Sequence, residues 1–141
     1  MKILVIDDKD EELEKARTAV ESKGWEALTF NPTSGSRRNS WIKLIETVDA
    51  VITDLMWSRN NNPTPDPAGL MVVIHALSLG KQVVVCTNSQ EGGGHHGEAM
   101  SFIYDGYLVS TYPGPFGWEE GKSWDAAVGE LEERIAKLSE K

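Results

Sequence analysis

Residues 49–57 read DAVITDLMW. Ala50, Val51, Ile52 and Thr53 form a short apolar, β-branched run that stops abruptly at Asp54. Such a run, bounded on both sides by carboxylates, has the pattern of a strand buried on both faces of a parallel sheet. In open α/β sheets, chemistry collects just beyond the carboxyl ends of the strands. Asp54 stands at such an end. Taken alone it could equally be a solvated strand terminus or a helix cap, so the rest of the chain has to decide.

Similar runs recur on either side. Lys2–Asp7 (KILVID) is apolar and closes on carboxylates, with Asp8 following. Gln82–Thr87 (QVVVCT) is apolar throughout and ends on a hydroxyl. Trp25–Phe30 (WEALTF) is a weaker second strand, and Tyr107–Val109 (YLV) a short fifth. Helical segments lie between them. One runs from Asp10 to about Ser22, with acidic residues at the positive end of its dipole and Leu13, Ala16, Ala19 and Val20 inward. Gly24 and Gly80 are expected left-handed caps. A second helix over Trp41–Thr47, capped by Ser40, would turn Trp41, Ile42 and Ile45 inward. A third, capped by Asp66 with Pro67 in its first turn, would bury Leu70, Val73, Ile74 and Leu77. The triglycine Gly92–Gly94 confines the next helix to a short piece over 98–104. A closing helix, capped by Ser123, would bury Ala127, Val128, Leu131, Ile135 and Leu138.

Strands alternating with helices imply a parallel sheet covered on both faces. For five such units the expected architecture is α/β, flavodoxin-like, with strand order 2-1-3-4-5 and a disturbed fourth helix. The 141 residues suit one domain spanning the chain.

Composition narrows the function classes. The net charge is −8, which argues against a nucleic-acid-binding surface, since phosphate contact needs clustered cations. Arg37-Arg38 is the one basic candidate. Cys86 is the single cysteine, so no intramolecular disulfide can form, and it is expected to be a small buried apolar residue. No stretch approaches the roughly 18 apolar residues that span a bilayer. The amino terminus turns acidic after six residues and is no signal peptide, so a cytoplasmic location away from membranes is expected.

In the expected order, strands one, three and four are neighbours. Their ends carry Asp7-Asp8, Asp54 and Thr87. Three carboxylates that close raise one another's pKa unless a cation sits among them. Mg²⁺ takes such oxygen ligands, and a carboxylate can act as a nucleophile toward phosphorus.

At this point the chain resembles a response-regulator receiver domain of two-component signalling. ILVIDD is similar to that family's acidic pair, and VITDLMW to its phosphoacceptor strand. VVVCTN supplies the hydroxyl residue, Gly69-Leu70 opens the third helix, and YLVST stands where the family has Tyr-Leu-Val-Lys-Pro. The resemblance implies that Asp54 accepts a phosphoryl group. It implies that Asp7, Asp8, Asp54 and the Met56 carbonyl hold Mg²⁺, and that Thr87 and Tyr107 form the switch. It also implies a histidine kinase or phosphotransfer protein as donor, a downstream protein target, and a homodimer as a further option. No output domain follows the last helix, so a stand-alone module is expected.

Two departures stand out. The family's strand-five lysine is replaced by Ser110, and no lysine lies between Lys81 and Lys122. The dozen-residue loop over 57–67 is enlarged. The residues leave open whether Arg59 or Lys122 reaches back to supply the charge. Two readings therefore stand: a phosphorylated receiver, and a binding module that keeps the fold without phosphorylation. A Mg²⁺-dependent phosphatase is a third, but an Asp-x-Asp nucleophile motif is missing. His95-His96 is expected to be solvated polar sequence rather than a metal site. Trp118 and Trp124 are expected to be packing anchors, with an exposed partner patch as the alternative.

Overall fold

The computed structural model describes residues 1–33, 41–57, 68–87, 117–119 and 121–139. The elements run β1 (Lys2–Ile6), α1 (Asp10–Glu21), β2 (Glu26–Phe30), α2 (Trp41–Glu46) and β3 (Ala50–Thr53). They continue with α3 (Gly69–Ser78), β4 (Gln82–Cys86), β5 (Gly117–Glu119) and α4 (Trp124–Ser139). Every strand pair is parallel. Four strands of four or five residues follow the flavodoxin-like order 2-1-3-4, and the three-residue β5 extends the edge beyond β4.

Alternate residues of each strand feed opposite faces, because the strand period is two. Leu4, Ile6, Val51, Val83 and Val85 pack with Trp41, Ile45, Val72, Val73 and Ala76 of α2 and α3. Ile3, Val5, Ile52, Val84 and Cys86 pack with Leu13, Ala16 and Val20 of α1 and with Trp124, Val128 and Leu131 of α4. Cys86 is wholly buried, as expected of a small apolar residue, and burial pushes its thiol up to about 12. Among the described residues no helix is long and apolar enough to cross a membrane.

Several expected faces are corrected. Ile42 is exposed on α2. In α3 the buried stripe is Gly69, Val72, Val73 and Ala76, while Ile74 is the most exposed large apolar side chain among the described residues and Leu70 and Leu77 are half-buried. Almost every residue of GLMVVIHALS is apolar, so hydropathy cannot select a face. The close approach at Gly69 selects it instead. In α4 the stripe begins at Trp124, takes in Arg134, and leaves Leu138 exposed. The expected caps at Ser40 and Asp66-Pro67 lie outside the described residues. α3 itself starts at Gly69, flanked by Ala68 with no side-chain cap. Gly24 and Gly80 do adopt left-handed conformations. The Ser123 hydroxyl accepts the Ala126 N–H at 3.2 Å, as its capping role requires.

The largest correction concerns the sheet edge. Gly117–Glu119, between the expected fifth strand at Tyr107–Val109 and the closing helix, pairs with Val84–Cys86. Tyr107–Val109, the short helix at 98–104 and His95-His96 lie outside the described residues, as do Arg37-Arg38 and the 58–67 part of the enlarged loop.

Candidate functional site

Register brings the site together. Ile6 is level with Thr53, and Thr53 with Val85. One residue further along, Asp7 therefore stands beside Asp54. The local backbone holds both. Asp54 N–H donates to the Ile6 carbonyl at 2.8 Å, and Asp7 N–H to the Phe30 carbonyl at 3.3 Å. Asp7 is completely buried, and its Oδ1 accepts the Lys9 N–H at 2.9 Å just before α1. Asp54 is 7% exposed, and its Oδ1 accepts the Leu55 N–H at 2.8 Å. Asp8 is half-buried.

Oxygens from Asp7, Asp8 and Asp54 lie within 4.8 Å of one another. The charges are costly there. Burial raises the Asp54 carboxyl to about 6, with Asp7 and Asp8 pushing the same way and Lys122 opposing them. Burial, then the charge of Asp7, raises Asp8. This donor set is all hard oxygen, which is what Mg²⁺ takes. A second cation would also relieve repulsion that the fold answers only in part. The residues fit the ion on both counts. Met56, two residues beyond Asp54, is half-buried.

The partial answer is Lys122. Its half-buried ammonium pairs with Oδ2 of the fully buried Asp7 and lies 3.3 Å from Asp54 Oδ1. It also donates to the Cys86 carbonyl at 3.4 Å. Burial alone would lower its pKa, but the charges of Asp54 and Asp7 outweigh that and hold it above the usual lysine value. The residue leads from β5 into α4 with a φ of +56°, a left-handed backbone that costs a side-chain-bearing residue about 1–2 kcal/mol. Its N–H donates to the Thr87 carbonyl at 3.1 Å, and Thr87 N–H donates to the Glu119 carbonyl at 2.9 Å. Strain of this kind tends to be kept where the side chain is needed.

Ser110 and Tyr107 lie outside the described residues. The cation beside Asp54 comes from Lys122, one of the two candidates that the residues left open. The strand beside β4 that leads to this lysine is Gly117–Glu119. β5 is GWE, which is three residues long, starts on glycine and ends on a carboxylate. No strand propensity marks it. Thr87 is fully buried at the end of β4, where its strand placed it. Trp57, 2% exposed, packs in the core beside α3.

Gly69 sets the floor of the site. Its N–H donates to the Leu55 carbonyl at 2.9 Å. A Cβ there would stand 2.1 Å from the Asp54 carbonyl oxygen and 2.8 Å from Leu55 Cα. Backbone cannot yield as a flexible side chain does, so Gly69→Ala is expected to cost at least about 1–3 kcal/mol. Urea denaturation checks this, with Gly129→Ala as control. A Cβ at Gly129 meets nothing within 4 Å, and that change should stabilise the helix by roughly 0.5–1 kcal/mol.

No family model and no curated protein matches the chain. Solved structures do. A response regulator receiver domain protein from Clostridium thermocellum is 20% identical, with a TM-score of 0.58 over 98% of this chain and 96% of that one. A transiently phosphorylated switch in bacterial signal transduction is 15% identical, with a TM-score of 0.60 over the same shares, 98% and 96%. A 2-desoxiribosyltransferase from Leishmania mexicana is 22% identical, with a TM-score of 0.53 over 94% and 98%. The chain thus has the fold of receiver domains. That fold also carries other chemistries, so function has to be argued from the site.

Proposed function

We propose that this chain is a phosphoryl-accepting receiver module, with Asp54 as acceptor, that signals by binding another protein. The observation that carries the reading is the Lys122 ammonium at 3.3 Å from Asp54 Oδ1, within a cluster that also includes Asp7 and Asp8. Acceptor, acidic pair and cation are the parts that the resemblance to receiver domains asks for, and the cation is the part the linear motif lacked.

In this reading an Asp54 carboxylate oxygen attacks phosphorus of a phosphohistidine. An acyl phosphate forms, the P–N bond breaks, and its electron pair stays on the imidazole nitrogen. With a carboxyl near 6, Asp54 is mostly ionised at pH 7 and able to act as the nucleophile. Lys122 places a positive charge where negative charge on the transferred group develops. Asp7, Asp8 and Asp54, with the Met56 carbonyl, would hold Mg²⁺, which supplies charge neutralisation to the phosphoryl oxygens. Thr87 is the hydroxyl proposed to follow the modified carboxylate. The donor is a histidine kinase or phosphotransfer protein, and the output is a protein contact rather than catalysis. A cytoplasmic setting is part of the proposal.

Incubation with Mg²⁺ and acetyl phosphate is expected to give a phosphoryl adduct by mass spectrometry, lost in Asp54→Asn. Its rate should fall at acid pH, because the acceptor becomes protonated, with the fall below the metal-free value of about 6 since bound Mg²⁺ favours the ionised carboxylate. Absence of any adduct across that range would assign the chain instead to a phosphorylation-independent binding module.

A further inference from the structure

We propose that Trp124 is a positioning residue. Its indole, anchored on α1 through Glu12, clamps the Lys122 ammonium against the Asp7 and Asp54 carboxylates.

Lys122 needs such a device. It lies between β5 and α4, where its backbone N–H donates to the Thr87 carbonyl. Its side chain is long and loses much rotamer freedom when held in one place. Its bonds to Asp7 Oδ2 and the Cys86 carbonyl fix where the ammonium ends, but leave the path of the long side chain to its surroundings. Trp124 narrows the choice. The Lys122 Nζ lies 5.1 Å from the centre of the Trp124 ring, within the range of a cation–π contact.

The ring is itself held. Trp124 is 4% exposed and packs in the core formed by α1 and α4. Its Nε1–H donates to Glu12 Oε2 at 2.6 Å. Burial works against a charged Glu12, yet the bond from Trp124 and the pairing with Lys15 hold its carboxyl below the usual range. Swinging the ring away would orphan the indole N–H and leave Glu12 with Lys15 alone. Plain core packing asks for none of this. It would be met by an aliphatic side chain, with neither a polar handle on α1 nor a π-face toward an ammonium.

The clamp concerns where Lys122 sits and does not require Asp54 to be phosphorylated. Only its importance for transfer rests on that reading. The test is therefore amine labelling of the full chain without metal, using acetic anhydride and mass spectrometry, with Lys122 scored against Lys81. The Lys81 ammonium donates to the Val48 and Glu46 carbonyls, away from Trp124, and reports general loosening.

In Trp124→Leu, Lys122 is expected to label roughly three- to thirty-fold faster relative to Lys81. Trp124→Phe keeps a π-face and should stay within about twofold of the parent. Glu12→Gln keeps an acceptor for the indole and should change little, whereas Glu12→Ala should raise Lys122 labelling. If Trp124→Leu does not fold, Glu12→Ala carries the test. A shift of the Trp124 indole N–H resonance in Lys122→Met then gives a second readout. Equal acceleration of Lys122 and Lys81, or no acceleration in either Leu or Ala variant, would overturn the clamp. So would failure of Trp124→Phe to restore slow labelling. An adduct at Asp54 could still form in any of those cases, so the two proposals fail separately.

Discussion

Asp54→Asn is expected to stabilise the protein at pH 7 by about 3 kcal/mol while removing the proposed acceptor. The sign follows from the carboxyl. In the folded protein it titrates near 6, against an ordinary 3.8, so the folded state binds its proton more tightly than the unfolded chain does. Below about 3.8 both states are protonated and Asp54 costs nothing. Between 3.8 and about 6 the cost grows, and above that it is constant. The difference in pKa multiplied by 1.36 kcal/mol gives the figure. Asparagine has the same shape, its Oδ1 can still accept the Leu55 N–H, and Lys122 keeps Asp7. Urea midpoints should therefore differ at pH 7 and converge below about pH 4. Equal midpoints at both pH values would mean that Asp54 carries no electrostatic strain. Added Mg²⁺ should narrow the gap at pH 7, because it stabilises the parent more than the variant.

Lys122→Met is expected to act in the opposite direction, at a cost of about 3–5 kcal/mol at pH 7. Removing one member of a buried charge network leaves the others without compensation. Three carboxylates would share a site whose nearest described cation is gone, and Asp7 is fully buried. Methionine keeps much of the apolar side chain without its charge, so the loss isolates the charge. The deficit should shrink as pH falls, because Asp54 and Asp8 already tend toward protonation. Added Mg²⁺ should restore part of it. The double variant Asp54→Asn with Lys122→Met should be less destabilised than Lys122→Met alone, since neighbouring charges are not additive. A Lys122→Met protein with the parent's urea midpoint at pH 7, without metal, would show that the ammonium contributes nothing to stability.

The carboxylate half of the site was legible because β1, β3 and β4 announce themselves. Each is a continuous apolar run, each stops on a polar residue, and parallel strands with helical crossovers must bring those stops to one edge. Asp7, Asp8, Asp54 and Thr87 could be named on that ground alone. Lys122 could not. A three-residue strand reading Gly-Trp-Glu has too little pattern to compete with Tyr-Leu-Val ten positions earlier, and the lysine's place depends on which of them pairs with β4. The signal that was present is modest: Lys122 is the next lysine after Lys81, immediately before the closing helix.

Helix faces divide in the same manner. α1 mixes acidic and apolar residues, so its buried stripe of Leu13, Ala16, Ala19 and Val20 could be read directly. α3 is apolar all round, and only the contact of Gly69 with the Asp54–Leu55 backbone settles that Val72 and Ala76 face inward while Ile74 faces out. Local pattern thus determined that β1 to β4 are strands, how those four order, and where three carboxylates gather, because alternation and strand termination are properties of neighbouring residues. Tertiary structure alone decided which cation meets them and what holds it there. Lys122 reaches Asp7 across 115 positions of chain and Trp124 reaches Glu12 across 112, and contacts between residues so far apart leave no mark on local sequence.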